Sequence, residues 1–226
     1  MLSELVNPIH FFIAFAPLAA YLILLGAINL RSRPVITTGT RDAAALGIGL
    51  GGLLIVGPLQ LLTPAATWFR LGALTWLLLA ALYLLLLSLA LLFLRPRLVI
   101  YNIQADRVSP LLSHLVNSLD DQARWAGNCL LLPRLGVQLH IETTPSLRHV
   151  QLIAAGPEQS FEGWRRLHSA LVVKLPESTG LRNPFGFNLI FCGFLTLGIV
   201  AFWFAQDPAA VAQSVQEILR NQNGLP

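Results

Sequence analysis

His140, Glu142 and His149 are the residues of this chain whose types and spacing come closest to metal chemistry. They fall in two stretches, residues 136–143 and 147–155, that alternate apolar and polar side chains with period two, the pattern of half-buried strands. With Thr144 and Pro145 as the turn, Leu139 lies beside Val150, Ile141 beside Arg148 and Val137 beside Leu152. The same register sets His140 directly opposite His149 on the other face, with Glu142 one pleat further along. Two imidazoles and a carboxylate so placed would hold a divalent metal such as zinc, with water completing the shell. The plainer expectation is a solvated sheet face that happens to carry histidines, and no other cofactor is expected.

The remaining reactive residues form no recognisable pattern. There is no G-x-S-x-G, Walker, GxGxxG, HExxH or EF-hand spacing, and the glycines at 47, 49, 51 and 52 lie in an apolar run without the lysine a phosphate loop needs. Asp106, Asp120 and Asp121 are dispersed. Cys129 and Cys192 have no CxxC spacing and are expected to serve as small apolar side chains. The expectation is a protein without catalytic activity.

The elements that must position these residues are dominated by lipid-soluble sequence. The 226 residues are 55% hydrophobic and 12% charged, against roughly 25% charged in an ordinary soluble domain. Four runs, Ile9 to Leu30, Ala43 to Thr63, Leu71 to Leu94 and Phe185 to Ala205, contain no Asp, Glu, Lys or Arg, and each reaches the about 20 residues a spanning helix requires. Gly47 and Gly51 put two small residues on one face of the second span, a helix-packing surface. Pro17 and Pro58 each remove a backbone donor within a span. The third run is so rich in leucine that it reads as a lipid-facing wall. Trp68 and Trp203, with Arg95 and Arg97, are expected at the membrane boundary.

Positive charge sets the expected topology. Of the 15 Lys and Arg residues, all but Arg70 and Arg220 fall in residues 31–42 or 95–184. Retention of positive charge on the cytoplasmic side places both segments there and both termini outside. The net charge of +4 is thus a topology signal, and no nucleic-acid partner is expected. The setting is the inner (plasma) membrane of a bacterial cell, in a multi-pass arrangement.

The fold class expected is a membrane all-α module of four transmembrane helices with an inserted cytoplasmic α+β domain. Residues 1–94 carry three spans (about 9–30, 43–63 and 71–94), 95–184 the domain and its linker, 185–206 the fourth span, and 207–226 an amphipathic extracytoplasmic tail. Within the domain the order is strand, helix, three strands, helix, similar to ferredoxin-like domains in its layers. Asp106 or Ser109 caps a first helix from Pro110, and Ser160 caps a second with Trp164, Leu167, Leu171 and Leu175 on its apolar stripe. The leading expectation is a non-catalytic membrane subunit or scaffold that presents the domain to partner subunits or to further copies of itself. The alternative is an oligomeric small transporter or channel component, and the third a membrane enzyme using His140, His149 and Glu142.

Overall fold

The computed structural model of the chain describes residues 8–63, 71–72, 74–103, 105–144, 148–175 and 183–206, with 208, 212 and 216 beyond them. The expected boundary residue Trp68 and the amphipathic tail begun by Asp207, residues 208, 212 and 216 apart, lie outside the described residues. The chain divides into two compact units, one of residues 1–24, 44–92 and 189–226, the other of residues 25–43 and 93–188.

Four described helices are long and apolar enough to cross a membrane: Ile9–Leu30, Gly39–Leu59, Leu74–Leu92 and Phe185–Gln206. The first lies in α1 (Pro8–Leu30) and runs through Pro17. The second comprises α2 (Gly39–Leu54) and a π-helical turn, Ile55–Leu59. Pro58 has no N–H to give to the preceding turn, and Gly57 takes a non-helical backbone (φ −86°, ψ −105°), so the helix widens and kinks there. The span thus begins four residues before the expected Ala43 and takes in Arg41 and Asp42. Thr38 explains the early start, because its side-chain oxygen accepts from the Arg41 N–H (3.4 Å) and caps the first turn.

In the first unit the glycine face of α2 meets α3 (Leu74–Leu92). A Cβ on Gly47 would lie 2.5 Å from Leu87, and one on Gly51 would lie 2.9 Å from Tyr83. The Tyr83 hydroxyl donates to the Gly47 carbonyl at 2.6 Å. The leucine-rich α3 is therefore not exposed around its whole circumference. Leu77, Leu82, Leu85 and Leu89 are exposed, whereas Thr75, Leu79 and Tyr83, at steps of four, form a buried stripe. Gly52 faces α1 so closely that a Cβ would sit 1.9 Å from the Ile13 carbonyl oxygen.

The second unit is built on a six-stranded antiparallel sheet, two strands more than the sequence pattern predicts. Its strands are β1 (Val35–Thr38), β2 (Arg97–Tyr101), β3 (Arg124–Ala126), β4 (Cys129–Leu132), β5 (Val137–Thr144) and β6 (His149–Ala154), in the order β1-β2-β6-β5-β4-β3. Strand β1 comes from the connection between the first two apolar helices and pairs with β2, Val35 beside Tyr101 and Thr38 beside Leu98. Strand β3 forms a short hairpin with β4.

Two helices, α4 (Ala105–Leu119) and α5 (Phe161–Lys174), supply Val108, Leu112, Val116, Trp164, Leu167 and Leu171 to one core with Leu98, Ile100, Leu130, Leu139, Val150 and Leu152 of the sheet. The sheet thus has one face under helices and an outer face. Ser160 caps α5 as expected, accepting from the Gly163 N–H at 3.1 Å. The start of α4 differs from expectation. It begins at Ala105, and Pro110 lies inside it. Near a helix N-terminus a proline removes a single intrahelical bond, which packing of Val108, Leu112 and Val116 outweighs.

Helix α6 (Phe185–Gln206) is the fourth apolar helix. Just before it, Asn183 is buried against Asn29 near the end of α1. The Asn183 backbone N–H donates to the Asn29 carbonyl (3.1 Å), the Asn183 side-chain amide donates to Asn29 Oδ1 (3.3 Å), and Asn29 donates back to the Leu25 carbonyl (2.9 Å). Two buried amides are thereby satisfied by each other and by backbone.

Candidate functional site: the Asp42 cluster on the sheet

Asp42, Arg97, Tyr101 and His149 are brought together on the outer face of the sheet at its β1-β2-β6 end. Local sequence dictates much of this. Arg97 and Tyr101 are four residues apart on β2 and project from the same face, and His149 stands directly opposite Tyr101 on β6. Val99, between them on that face, is fully buried. Asp42 belongs to the first turn of α2, where a carboxylate also suits the positive end of the helix dipole. The chain passes from Thr38 of β1 to Gly39 of α2 with no residue between. Gly39 is required there, because a Cβ would lie 1.9 Å from Cγ of Arg97.

The contacts converge on the carboxylate. Tyr101 donates its phenolic hydrogen to Asp42 Oδ1, and Arg97 approaches Oδ2 at 3.9 Å. Arg97 also reaches Gln151 Oε1 at 3.5 Å. The rings of Tyr101 and His149 stack with centroids 4.9 Å apart and planes 8° from parallel. Burial pushes the His149 imidazole below its ordinary pKa; Asp42 opposes that shift and Arg97 adds to it. The imidazole is therefore neutral at pH 7. His149 Nε2 and Arg97 Nε are buried without a hydrogen-bond partner among the described residues.

Structurally this cluster is a latch. One carboxylate oxygen accepts from the phenol of Tyr101, which has thereby committed its proton, and the other lies beside the Arg97 guanidinium. The arrangement fastens the first turn of α2 to β2. At the end of β2, Asn102 adopts a left-handed backbone (φ 60°) and its amide donates to the Arg31 carbonyl, which ties the exit of α1 to the same strand.

No family model matches this chain, nor does any curated protein or solved structure.

The residues expected to bind metal are not assembled. Strand β5 pairs with β6 four residues further along than the sequence reading places it: Leu139 lies beside Ala154 and Ile141 beside Leu152. Thr144 pairs with His149, leaving residues 145–148 between the strands rather than a two-residue turn. His140 consequently faces Ile153, four rows from His149, or about 13 Å along the strands. Glu142 is opposite Gln151. A shift by an even number of residues keeps every side chain on its expected face, so the buried and outward sets are unchanged. Among the described residues no three His, Cys, Asp or Glu side chains converge as a metal site.

His140 instead meets Cys129, its neighbour on β4, with Nδ1 3.5 Å from Sγ. Cys129, expected as a small apolar side chain, thus has an imidazole beside it on the neighbouring strand. Arg95 is exposed, as a boundary residue would be, but Arg97 is a strand residue engaged with Asp42. Trp203 stacks on Phe11, centroids 5.6 Å apart. Sequence reasoning missed Asp42 and Tyr101. A single acidic residue just before an apolar run was the available signal.

Proposed function

We propose that the chain is a non-catalytic integral membrane subunit that presents its α+β unit to a partner protein. The observation that carries this reading is the direct passage from β1 into α2, with Asp42 of the first helical turn held by Arg97 and Tyr101 of the sheet. A soluble domain attached by a free linker needs no such fastening. Here the sheet draws strands from the connection before α2 and from the one before α6, so its own pairing ties it to the start of a span.

In this reading the four apolar helices cross the inner (plasma) membrane of a bacterial cell, and residues 31–42 and 95–184 face the cytoplasm. Membership of β1 and β2 in one sheet supports a common side for the two segments, and the concentration of Arg and Lys there supports the cytoplasmic one. Helices layered on one face of an antiparallel sheet support the likeness to ferredoxin-like domains in layers, although the strand order is this chain's own. Apolar side chains left open on the unit, Phe161 at 82% exposure and Val173 at 67%, support a protein surface as the partner.

The test is twofold. In a cysteine-free background, single cysteines at Ser32 and Ser113 should be protected from an impermeant thiol reagent in intact cells, and one at Asn223 labelled. The reverse labelling would overturn the orientation. Photocrosslinkers at Phe161 and Val173 in native membranes should give a discrete adduct that one at Gln138, exposed on the other face, does not. Identical patterns at all three positions would sink the subunit reading.

A second reading, a component of an oligomeric transporter or channel, is favoured by the kinked π-helical turn at Gly57 and Pro58 and by the buried Thr75 hydroxyl, which has no hydrogen-bond partner among the described residues. Ion flux through vesicles carrying the purified chain alone, lost on Pro58→Ala, would establish it in place of the first.

A further inference from the structure

We propose that Cys129 and His140 form a nucleophilic thiol–imidazole pair, a site for reversible modification of the chain by a low-molecular-weight disulfide. The two residues are directly opposed on neighbouring strands, on the outer face of the sheet, with Sγ 3.5 Å from Nδ1. This distance suits a thiol hydrogen bonded to an imidazole nitrogen, and nucleophile beside base is the arrangement that activates a cysteine. The thiolate is the attacking species, so a base within reach of the thiol proton determines how readily it forms.

The surroundings leave the sulfur approachable. Strand β3 is the last in the sheet, and the residue it sets opposite Cys129 is Ala126, exposed and with a single-carbon side chain. The thiol thus has its base on the β5 side and an open flank on the β3 side. Cys129 itself is partly exposed and makes no disulfide. A cysteine serving only to fill space belongs in the helix-covered core, among Leu130 and Leu132 of the same strand, whose side chains are fully buried on the opposite face.

The step balances without a further reactant. As the thiol proton passes to His140 Nδ1, the Cys129 sulfur attacks one sulfur of the disulfide. A new S–S bond forms, the old one breaks, and the other half leaves as a thiolate that takes up a proton. A second free thiol reverses the exchange and restores Cys129.

The experiment uses the full chain in mild detergent with Cys192→Ala, so that Cys129 is the sole thiol, and dithiobis(nitrobenzoate) as the disulfide, followed by release of the coloured thiolate. His140→Ala and His140→Asn should each slow the second-order reaction at neutral pH by about tenfold, less than the roughly hundredfold or more of a general base elsewhere, because a free thiol is already a few per cent ionised there. Glu142→Gln, on the same strand but away from the thiol, should leave the rate unchanged. Ala126→Leu, a change at an exposed position, should also slow the reaction by closing the open flank. A drop of threefold or less in both His140 variants, with thermal unfolding unaltered, overturns the pair as a nucleophilic site. If either His140 variant fails to fold, the other and Ala126→Leu decide, and wild-type speed in Ala126→Leu overturns the proposed approach.

Discussion

The Tyr101 hydroxyl donates to the Asp42 carboxylate, which joins the first strand after α3 to the first turn of α2, 59 residues away in sequence. A hydrogen bond to a charged acceptor contributes about 1.5 to 3 kcal/mol when shielded from water, and Asp42 is only partly shielded, with a side-chain exposure of 20%. Tyr101→Phe should therefore lower the stability of the sheet unit by about 1 kcal/mol or somewhat more. Asp42→Asn should cost more, because it also leaves Arg97 without its counter-ion. Urea unfolding in detergent, followed by tryptophan fluorescence, reads both, and the double variant should be less destabilised than the sum of the singles. Strict additivity would mean that the two side chains do not interact.

The latch also makes stability depend on pH through His149. Burial lowers the pKa of this imidazole in the folded chain, and His168 on α5 is shifted the same way, by burial first and by Arg41 second. The unfolded chain, with ordinary histidines near about 6.5, then binds protons that the folded chain refuses. The stabilisation is complete above that value and is lost as pH falls below it toward the lower folded pKa values. Thermal midpoints should accordingly drop between about pH 7 and pH 5. His149→Phe keeps a ring to stack on Tyr101 and should flatten the drop without abolishing it, since His168 remains. A midpoint that rises on acidification in this range would contradict the burial argument.

The parts of this architecture that local pattern encodes were legible in the sequence, and the parts that depend on distant partners were not. The apolar runs, the alternation in β5 and β6 and the Ser160 cap of α5 each rest on neighbours within a few residues, and the structure has the first and fourth runs, both strands and the cap within a residue or two of expectation and the second and third runs within four. Strand β1 is four residues long and only half-buried, and nothing in Val35–Thr38 announces pairing with a strand some sixty residues later. The β5–β6 register was misread because two registers four residues apart place the same side chains in the core, so hydrophobic pattern cannot separate them. That ambiguity created the His140–His149 pair on paper. It also concealed Cys129, whose neighbour is set by β4–β5 pairing.

Asp120 offers a test of a wholly structural polar group. It follows α4, is 1% exposed, and receives three backbone N–H groups: Gln122 at 3.0 Å on one oxygen, Arg134 at 2.8 Å and Leu135 at 3.4 Å on the other. Asp120→Ala strands these donors in a place water does not reach and should destabilise the unit by about 2 kcal/mol or more. Asp120→Asn keeps one acceptor oxygen and should lose less. Equal losses in denaturation would show that the second carboxylate oxygen is dispensable.

Helix packing in the first unit makes the sharpest prediction about glycine. At Gly52 a methyl group would lie 1.9 Å from the Ile13 carbonyl oxygen and 3.0 Å from that of Ala14, both backbone atoms that cannot rotate aside. At Gly51 the obstacle is the Tyr83 ring at 2.9 Å, a side chain with some freedom, and at Gly198 of α6 nothing lies within 4 Å. The three positions are chemically alike and sterically graded. Gly52→Ala should force α1 and α2 apart and destabilise the helices by about 1 to 3 kcal/mol, as overpacking does. Gly51→Ala should cost less, and Gly198→Ala should stay within about 0.5 kcal/mol. Thermal unfolding of the three variants in one detergent checks the order. A Gly198→Ala loss equal to that of Gly52→Ala would show that the approach of α1 to α2 does not set the demand for glycine.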